Sequence, residues 1–262
     1  MSVIAKALDL LAYFTEAQPE IGLSQFRRLA KHDKATTYRY LQALEQAGFV
    51  EKNPQTKAYR IGPAVLHLAK MRELTVPRKD GARKAIEALS DVTGETAHLS
   101  ILSGTTLHAV LARESVQHSI RAIIDIQTLP LHATASGQCA IAHGPEELFE
   151  AALENLTRFT SETALSKEQL QAAIQQVRGS GFGYSHGGFE QDVVGFAAPV
   201  FDETNHLAGT VAVASVASRV SPETELAIKK NLVLASREIT HNWGGTVPAS
   251  VEKNWSKLDL KT

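Results

Sequence analysis

The sequence predicts an α+β protein of two folded units joined by a linker helix. Three observations carry that expectation. The chain has 262 residues, which exceeds one small domain and suits two. Its first quarter shows three short helical patterns followed by a pair of alternating segments. The remainder mixes apolar, strand-like runs with helical patterns at its start and end.

Ile4, Ala7, Leu8, Leu11 and Phe14 recur at helical spacing, which predicts a helix over 3–16. Pro19 and Gly22 mark a loop. Ser24 is placed to cap a second helix over 24–31, with Phe26 and Leu29 inward. Asp33 is placed to cap a third over 34–47, with Thr37, Leu41 and Leu44 inward and Gly48 as its stop. Two short helices joined by a tight turn form a helix-turn-helix. Segments 49–52 and 57–61 alternate around Asn53-Pro54-Gln55-Thr56, so a β-hairpin follows. Together these make a winged helix-turn-helix over 1–62.

Charge points to a polyanion as its partner. Residues 1–72 carry 11 Lys and Arg against 6 Asp and Glu, a net +5, whereas the rest carries 16 against 22, a net −6. The third helix is narrow enough for a DNA major groove. Its candidate contacts are Lys34, Ala35, Thr36, Thr37, Tyr38 and Arg39, and the hairpin adds Lys52, Lys57 and Arg60 for flanking phosphates.

Gly62-Pro63 opens a linker helix over 63–76, crowded with Val65, Leu66, Leu68, Ala69 and Met71, and Pro77 ends it. Such an apolar helix suits a dimer contact or packing on its own winged helix. The second unit runs over 78–245. A helix is expected over 78–93, strands over 97–102, 107–112 and 119–126, and a helix over 136–143. Further expectations are a helix over 169–178, strands over 196–201 and 207–215, and a closing helix over 222–243. The tail, 246–262, with Pro248 and Trp255, is unassigned: flexible, or an interface strap.

Several stretches stand in a telling order. They are Tyr38-Arg39-Tyr40-Leu41-Gln42-Ala43-Leu44 with Gly48-Phe49-Val50, then Tyr59-Arg60-Ile61-Gly62, then Gly94-Glu95-Thr96. After these come Pro130-Leu131-His132-Ala133-Thr134-Ala135-Ser136-Gly137 and Phe196-Ala197-Ala198-Pro199-Val200-Phe201-Asp202. In their order and spacing the chain resembles the IclR family of bacterial transcriptional regulators from end to end.

The resemblance implies a GAF-like second domain, an antiparallel sheet with helices on one face enclosing an effector cavity. It implies binding to a double-stranded DNA operator as a homodimer or homotetramer, with repression the expected sense. It places the effector pocket on His118, Arg121, Ala135, Ser136, Ser185, Val193, Gly195, Ala212 and Ala214. The amides opening the helix at Ala135-Ser136 suit a carboxylate, and Arg121 would pair with it if turned inward or form a surface ion pair otherwise. Ser136 is equally placed to be a helix cap. Gly195, Ala212 and Ala214 stand where members binding very small keto acids place hydroxyls or thiols, and Gly187-Gly188 replaces their acidic pair. Asp192 stands where a glycine is common. A roomier, less polar pocket for an organic or aromatic carboxylate follows.

Other classes fit less well. His98, His108, His118 and His132 lack the i, i+4 spacing of a catalytic zinc helix, and no cofactor is expected. The G-x-S-x-G elbow and the P-loop are absent, so the chain reads as no enzyme. The single cysteine, Cys139, excludes an internal disulfide and falls on a predicted inner helix face, against a redox sensor. No apolar run reaches the roughly 20 residues of a membrane span, and no signal peptide opens the chain, so a cytoplasmic setting is expected.

Overall fold

A computed structural model describes residues 2–15, 18–75, 78–124 and 127–258, with the backbone alone at 73. The chain divides into two compact units, 1–77 and 78–262.

In the first unit Ser2 accepts the Ala5 amide and caps α1 (Val3–Leu8). The chain then tightens into a 3-10 turn over Asp9–Tyr13, so the helix expected over 3–16 does not persist. The change of pitch re-aims the apolar stripe. Leu10 is buried, while Ile4 and Leu8 face solvent. α2 (Leu23–Ala30) starts after Gly22 rather than Ser24, and Lys31 closes it at φ 55°. Phe26 enters the core, but Leu29 stays outside because α2 stops one residue later, at the rim of the core.

α3 (Lys34–Gln46) begins as the sequence predicts: the Asp33 carboxylate accepts the Thr36 amide at 2.9 Å. β1 (Val50–Lys52) and β2 (Tyr59–Ile61) pair antiparallel, and Ile21 adds a bridge to Tyr59. Leu10, Ile21, Phe26, Leu41, Val50 and Tyr59 form the core. Among its described side chains, α4 (Ala64–Thr75) buries none. Pro77, expected to end it, lies outside the described residues.

The second unit runs α5 (Arg78–Thr93), β3 (Thr96–Ser103), β4 (Thr106–Arg113), α6 (Ala135–His143), α7 (Glu147–Glu154) and α8 (Lys167–Ser180). It continues with β5 (Gly183–His186), β6 (Val193–Phe201), β7 (Leu207–Val216), α9 (Pro222–Asn242) and α10 (Ala249–Trp255). One antiparallel sheet has the order β4-β3-β7-β6-β5. The strand expected over 119–126 is absent from 119–124, which form a loop; 125 and 126 lie outside the described residues. α7 and β5 were not anticipated. α7 buries only Leu148 and Ala152, and the four-residue β5 follows a glycine that reads as a break.

The sheet has two unlike faces, set by register. Leu99, Val211, Val213, Phe196 and Val200 point one way, toward α5 and α9. His98, Ser100, Thr210, Ala212, Ala214, Gly195, Ala197, Gly183 and Ser185 point the other way, toward α6. The one-sided helix layer implied by the family resemblance is therefore corrected: helices cover both faces. That cover also explains why β6 and β7 read as continuous apolar runs rather than alternating ones.

Small side chains on the second face let α6 come close. A Cβ on Gly183 would stand 2.1 Å from the Ala135 carbonyl oxygen, so only glycine fits there. The tail is an integral part of this unit. Trp255 of α10 is fully buried and donates its indole N–H to the Gly181 carbonyl at 3.0 Å.

Candidate functional site

The candidate DNA-facing surface starts from α3. Lys34, Ala35, Tyr38 and Arg39 are exposed and Thr36 is half-buried. Thr37 is corrected: it is fully buried and donates its hydroxyl to the Asp33 carbonyl at 2.9 Å, so it belongs to the core and not to a DNA-facing set. The Thr36 amide and side chain hold the Asp33 carboxyl below its ordinary range. An anion thus already sits at the helix start, which leaves phosphates to the cationic side chains.

On the wing, Lys52 and Lys57 are exposed, and Lys52 Nζ lies 5.3 Å from the centre of the Tyr59 ring. Arg60 is half-exposed and pairs with Glu51 at 2.6 Å, so part of its charge is spent locally. The turn is tied down by Glu20, which accepts from Asn53 at 2.7 Å and from Thr56 at 2.9 Å. Nothing in the spacing signalled Glu20, which lies 33 residues before Asn53.

A cavity of about 70 Å³ opens beneath the N-terminus of α6. Ala135, Ser136, Ser185, Val193, Gly195, Ala212 and Ala214 line it. Two sequence candidates do not. Arg121 pairs with Glu114 at 2.8 Å, and His118 is half-buried beside Gly94. The reason is the missing strand at 119–124: a loop does not fix alternate side chains inward. His98, Ile123, Leu129 and Phe189 line the cavity and were missed as contacts. His98 was legible only as a strand histidine, and the others needed the tertiary fold.

The space holds roughly five water-sized groups. That is tighter than the roomy pocket expected from Gly195, Ala212 and Ala214, because Leu129, Ile123 and Phe189 close over them.

Thr134, not Ser136, caps α6, accepting the Gly137 amide at 2.9 Å. The Ala135 and Ser136 amides belong to the first turn, which has no partners within the helix. Ser136 Oγ lies 3.2 Å from His98 Nε2, and His98 Nδ1 is buried without a partner. Burial pushes His98 down to about 4, so the ring is neutral at pH 7. His143 is also lowered to about 4, by burial and then by Arg178.

Both rings make stability acid-sensitive, and the sign follows from linkage. Unfolded histidine takes a proton near pH 6.5, while the folded rings resist until about 4. Their contribution is fully present above 6.5 and is lost as pH falls toward 4, by about 1.4 kcal/mol per ring and pH unit. The urea midpoint is expected to be clearly lower at about pH 5 than at about pH 7.5. Equal midpoints would contradict the burial of these rings.

Among the described residues no group of three His, Cys, Asp or Glu side chains is gathered as a metal site. His132 Nε2 bonds the Thr157 carbonyl at 2.9 Å, and its ring stacks on Phe159. Cys139 is buried and its thiol is pushed up to about 12, which removes the thiolate a redox sensor needs. No described helix is long and apolar enough to cross a membrane.

The family model for the IclR helix-turn-helix domain matches residues 3–54, and that for the bacterial transcriptional regulator IclR C-terminal domain matches 78–241. The transcriptional regulator XynR of Escherichia coli is 29% identical over 229 residues, covering 86% of this chain and 89% of XynR. Transcriptional repressor IclR of the same organism is 23% identical over 257 residues, covering 92% and 90%. A crystal structure from Silicibacter sp. TM1040, assigned as an IclR transcriptional regulator, superposes with a TM-score of 0.87 at 37% identity, covering 95% and 99%. HmgR of Pseudomonas aeruginosa, at 24% identity and a TM-score of 0.71, covers 93% of this chain and 97% of its own, and shares the fold.

Proposed function

Because the chain belongs to the IclR family of bacterial transcriptional regulators, DNA-binding proteins rather than enzymes, we propose that it is a cytoplasmic repressor released or retained by a compact organic carboxylate. One observation carries the choice of ligand. The first amides of α6, with Ser136 and His98 beneath them, stand at a cavity whose remaining walls are mostly apolar. A helix N-terminus favours an anion, and the apolar walls favour a short carbon skeleton.

Among the described residues no lysine or arginine lines the cavity, so neutral donors hold the carboxylate. Glu190 is exposed at its edge and disfavours a second negative charge on the ligand. Repression is assigned by analogy with the Escherichia coli repressor.

The DNA-reading form is a dimer. Val3, Ile4, Leu8, Leu66, Leu68 and Leu74 are exposed in the first unit, on α1 and the linker helix α4. A second copy covers them and sets two α3 helices about one DNA turn apart, with further pairing into tetramers open to it. The effector acts only through its differential affinity for the two arrangements, and the linker helix α4 carries the change.

A thermal-shift screen of organic acids tests the reading. An acid at about 100 times its Kd adds about 2.7 kcal/mol, a rise of several degrees. The same acid should change operator affinity, and Ser136→Val should abolish its shift. If no acid raises the melting point, or Ser136→Val leaves the rise intact, the cavity is not the effector site.

A further inference from the structure

We propose that Glu95, Thr96 and Arg219 are positioning residues for the cavity, holding the 114–124 loop that forms its side wall without touching a ligand themselves. This rests on reading the cavity as the effector site, and names how its size and its link to α5 are set.

The loop contributes Ala122, Ile123 and Ile124 to the cavity lining. It has no strand or helix of its own. Val116, Ile120 and Ile123 are 73%, 74% and 52% exposed, so the burial of these aliphatic side chains does not hold it in place. Its anchors are polar. Thr96 Oγ1 donates to the Ala122 carbonyl at 2.6 Å, one residue from the cavity's Ile123. Thr96 Oγ1 also accepts the Ser115 amide at 3.3 Å, and Ser115 Oγ donates to the Gly94 carbonyl. Arg219 Nη1 donates to the Ile120 carbonyl at 2.9 Å.

Arg219 can aim that bond because Glu95 fixes its other side. Nε and Nη2 grip the two Glu95 oxygens at 2.8 and 2.7 Å, and the Glu95 side chain is only 3% exposed. A buried ion pair is a poor source of net stability, but its forked geometry leaves the guanidinium one orientation. The pair thus specifies where the loop sits rather than simply adding stability.

These anchors lie at the end of α5. That helix stops at Thr93, Gly94 turns the chain at φ 69°, and Glu95 and Thr96 follow at once. Gln117 from the loop donates to the Asp91 carbonyl on α5 at 2.7 Å. A ligand too large for the present cavity displaces Ala122–Ile124 and strains bonds made directly to the C-terminal end of α5.

The full-length chain tests this with trypsin, which cuts after Arg121 inside the loop. Two variants are compared with wild type: Thr96→Val, and the charge-neutral double variant Glu95→Gln with Arg219→Gln. Cleavage after Arg121 is expected to speed up at least about tenfold. Cleavage after Arg158, on an exposed segment elsewhere in the unit, should not change. If the double variant does not fold, Thr96→Val decides alone, since it leaves no buried charge. Unchanged cleavage after Arg121 overturns the proposal, and so does an equal acceleration at both sites, which marks general loosening. The readout needs no effector, so a wrong assignment of the cavity leaves it standing and a failed latch leaves the acid screen standing.

Discussion

Trp255→Ala is expected to cost the second unit about 3–5 kcal/mol of stability. The side chain is fully buried in α10, stacks obliquely on Phe182 at 5.9 Å, and donates to Gly181. Its neighbour Asn254 donates to the Arg178 carbonyl at 2.7 Å, so α10 satisfies carbonyls that α8 leaves bare at its C-terminus. Arg237 of α9 grips Glu252 of α10 with bonds of 2.9 and 2.6 Å.

Losing the indole therefore leaves a large cavity and an unpaired carbonyl at the turn into β5, the strand that carries Ser185 to the cavity beneath α6. A melting point lower by roughly 10 °C is the expected reading for a unit of this size. Trp255→Phe should recover part of the loss, since it keeps an aromatic ring against Phe182 but leaves a smaller cavity and forfeits the hydrogen bond. A drop of less than about 1 kcal/mol in Trp255→Ala would mean that α10 is a loosely attached tail.

Lys34→Ala with Arg39→Ala is expected to weaken operator binding by about 100-fold at physiological salt. Both side chains are exposed on α3, and Asp33 at its N-cap leaves the helix start unable to take a phosphate itself. Losing two phosphate contacts should also flatten the salt dependence by about two units per protomer. Because both residues are on the surface, melting should move little, and the acid response of the cavity should be unaffected. Gel shift against the DNA beside the chain's own coding region, over a salt series, gives both numbers. Normal affinity with an unchanged slope would remove α3 from the DNA-reading role.

Much of the first unit is legible in its sequence. The Asp33 cap, the Gly48 stop and the Asn53–Thr56 turn are local signals, each within a few residues of its partner. They were enough to place α3 and the wing. Seven of the nine pocket positions taken from the resemblance converge on one cavity, because they sit on regular elements: the start of α6 and the inward face of β5, β6 and β7. His118 and Arg121 do not, because they sit on a loop where register gives no guidance.

By itself the sequence determined what is local and periodic: the helix caps and turns, the run of small residues along β6 and β7, and the positive charge of the first 72 residues. The tertiary structure alone decided what depends on partners far along the chain. It brought His98 under Ser136 across 38 residues, set Arg219 on Glu95 across 124, and seated Trp255 against Gly181 across 74. The reason is physical. A cap or a strand period is fixed by backbone geometry within one or two turns, whereas a cavity or a buried ion pair exists only where several elements compete for the same space.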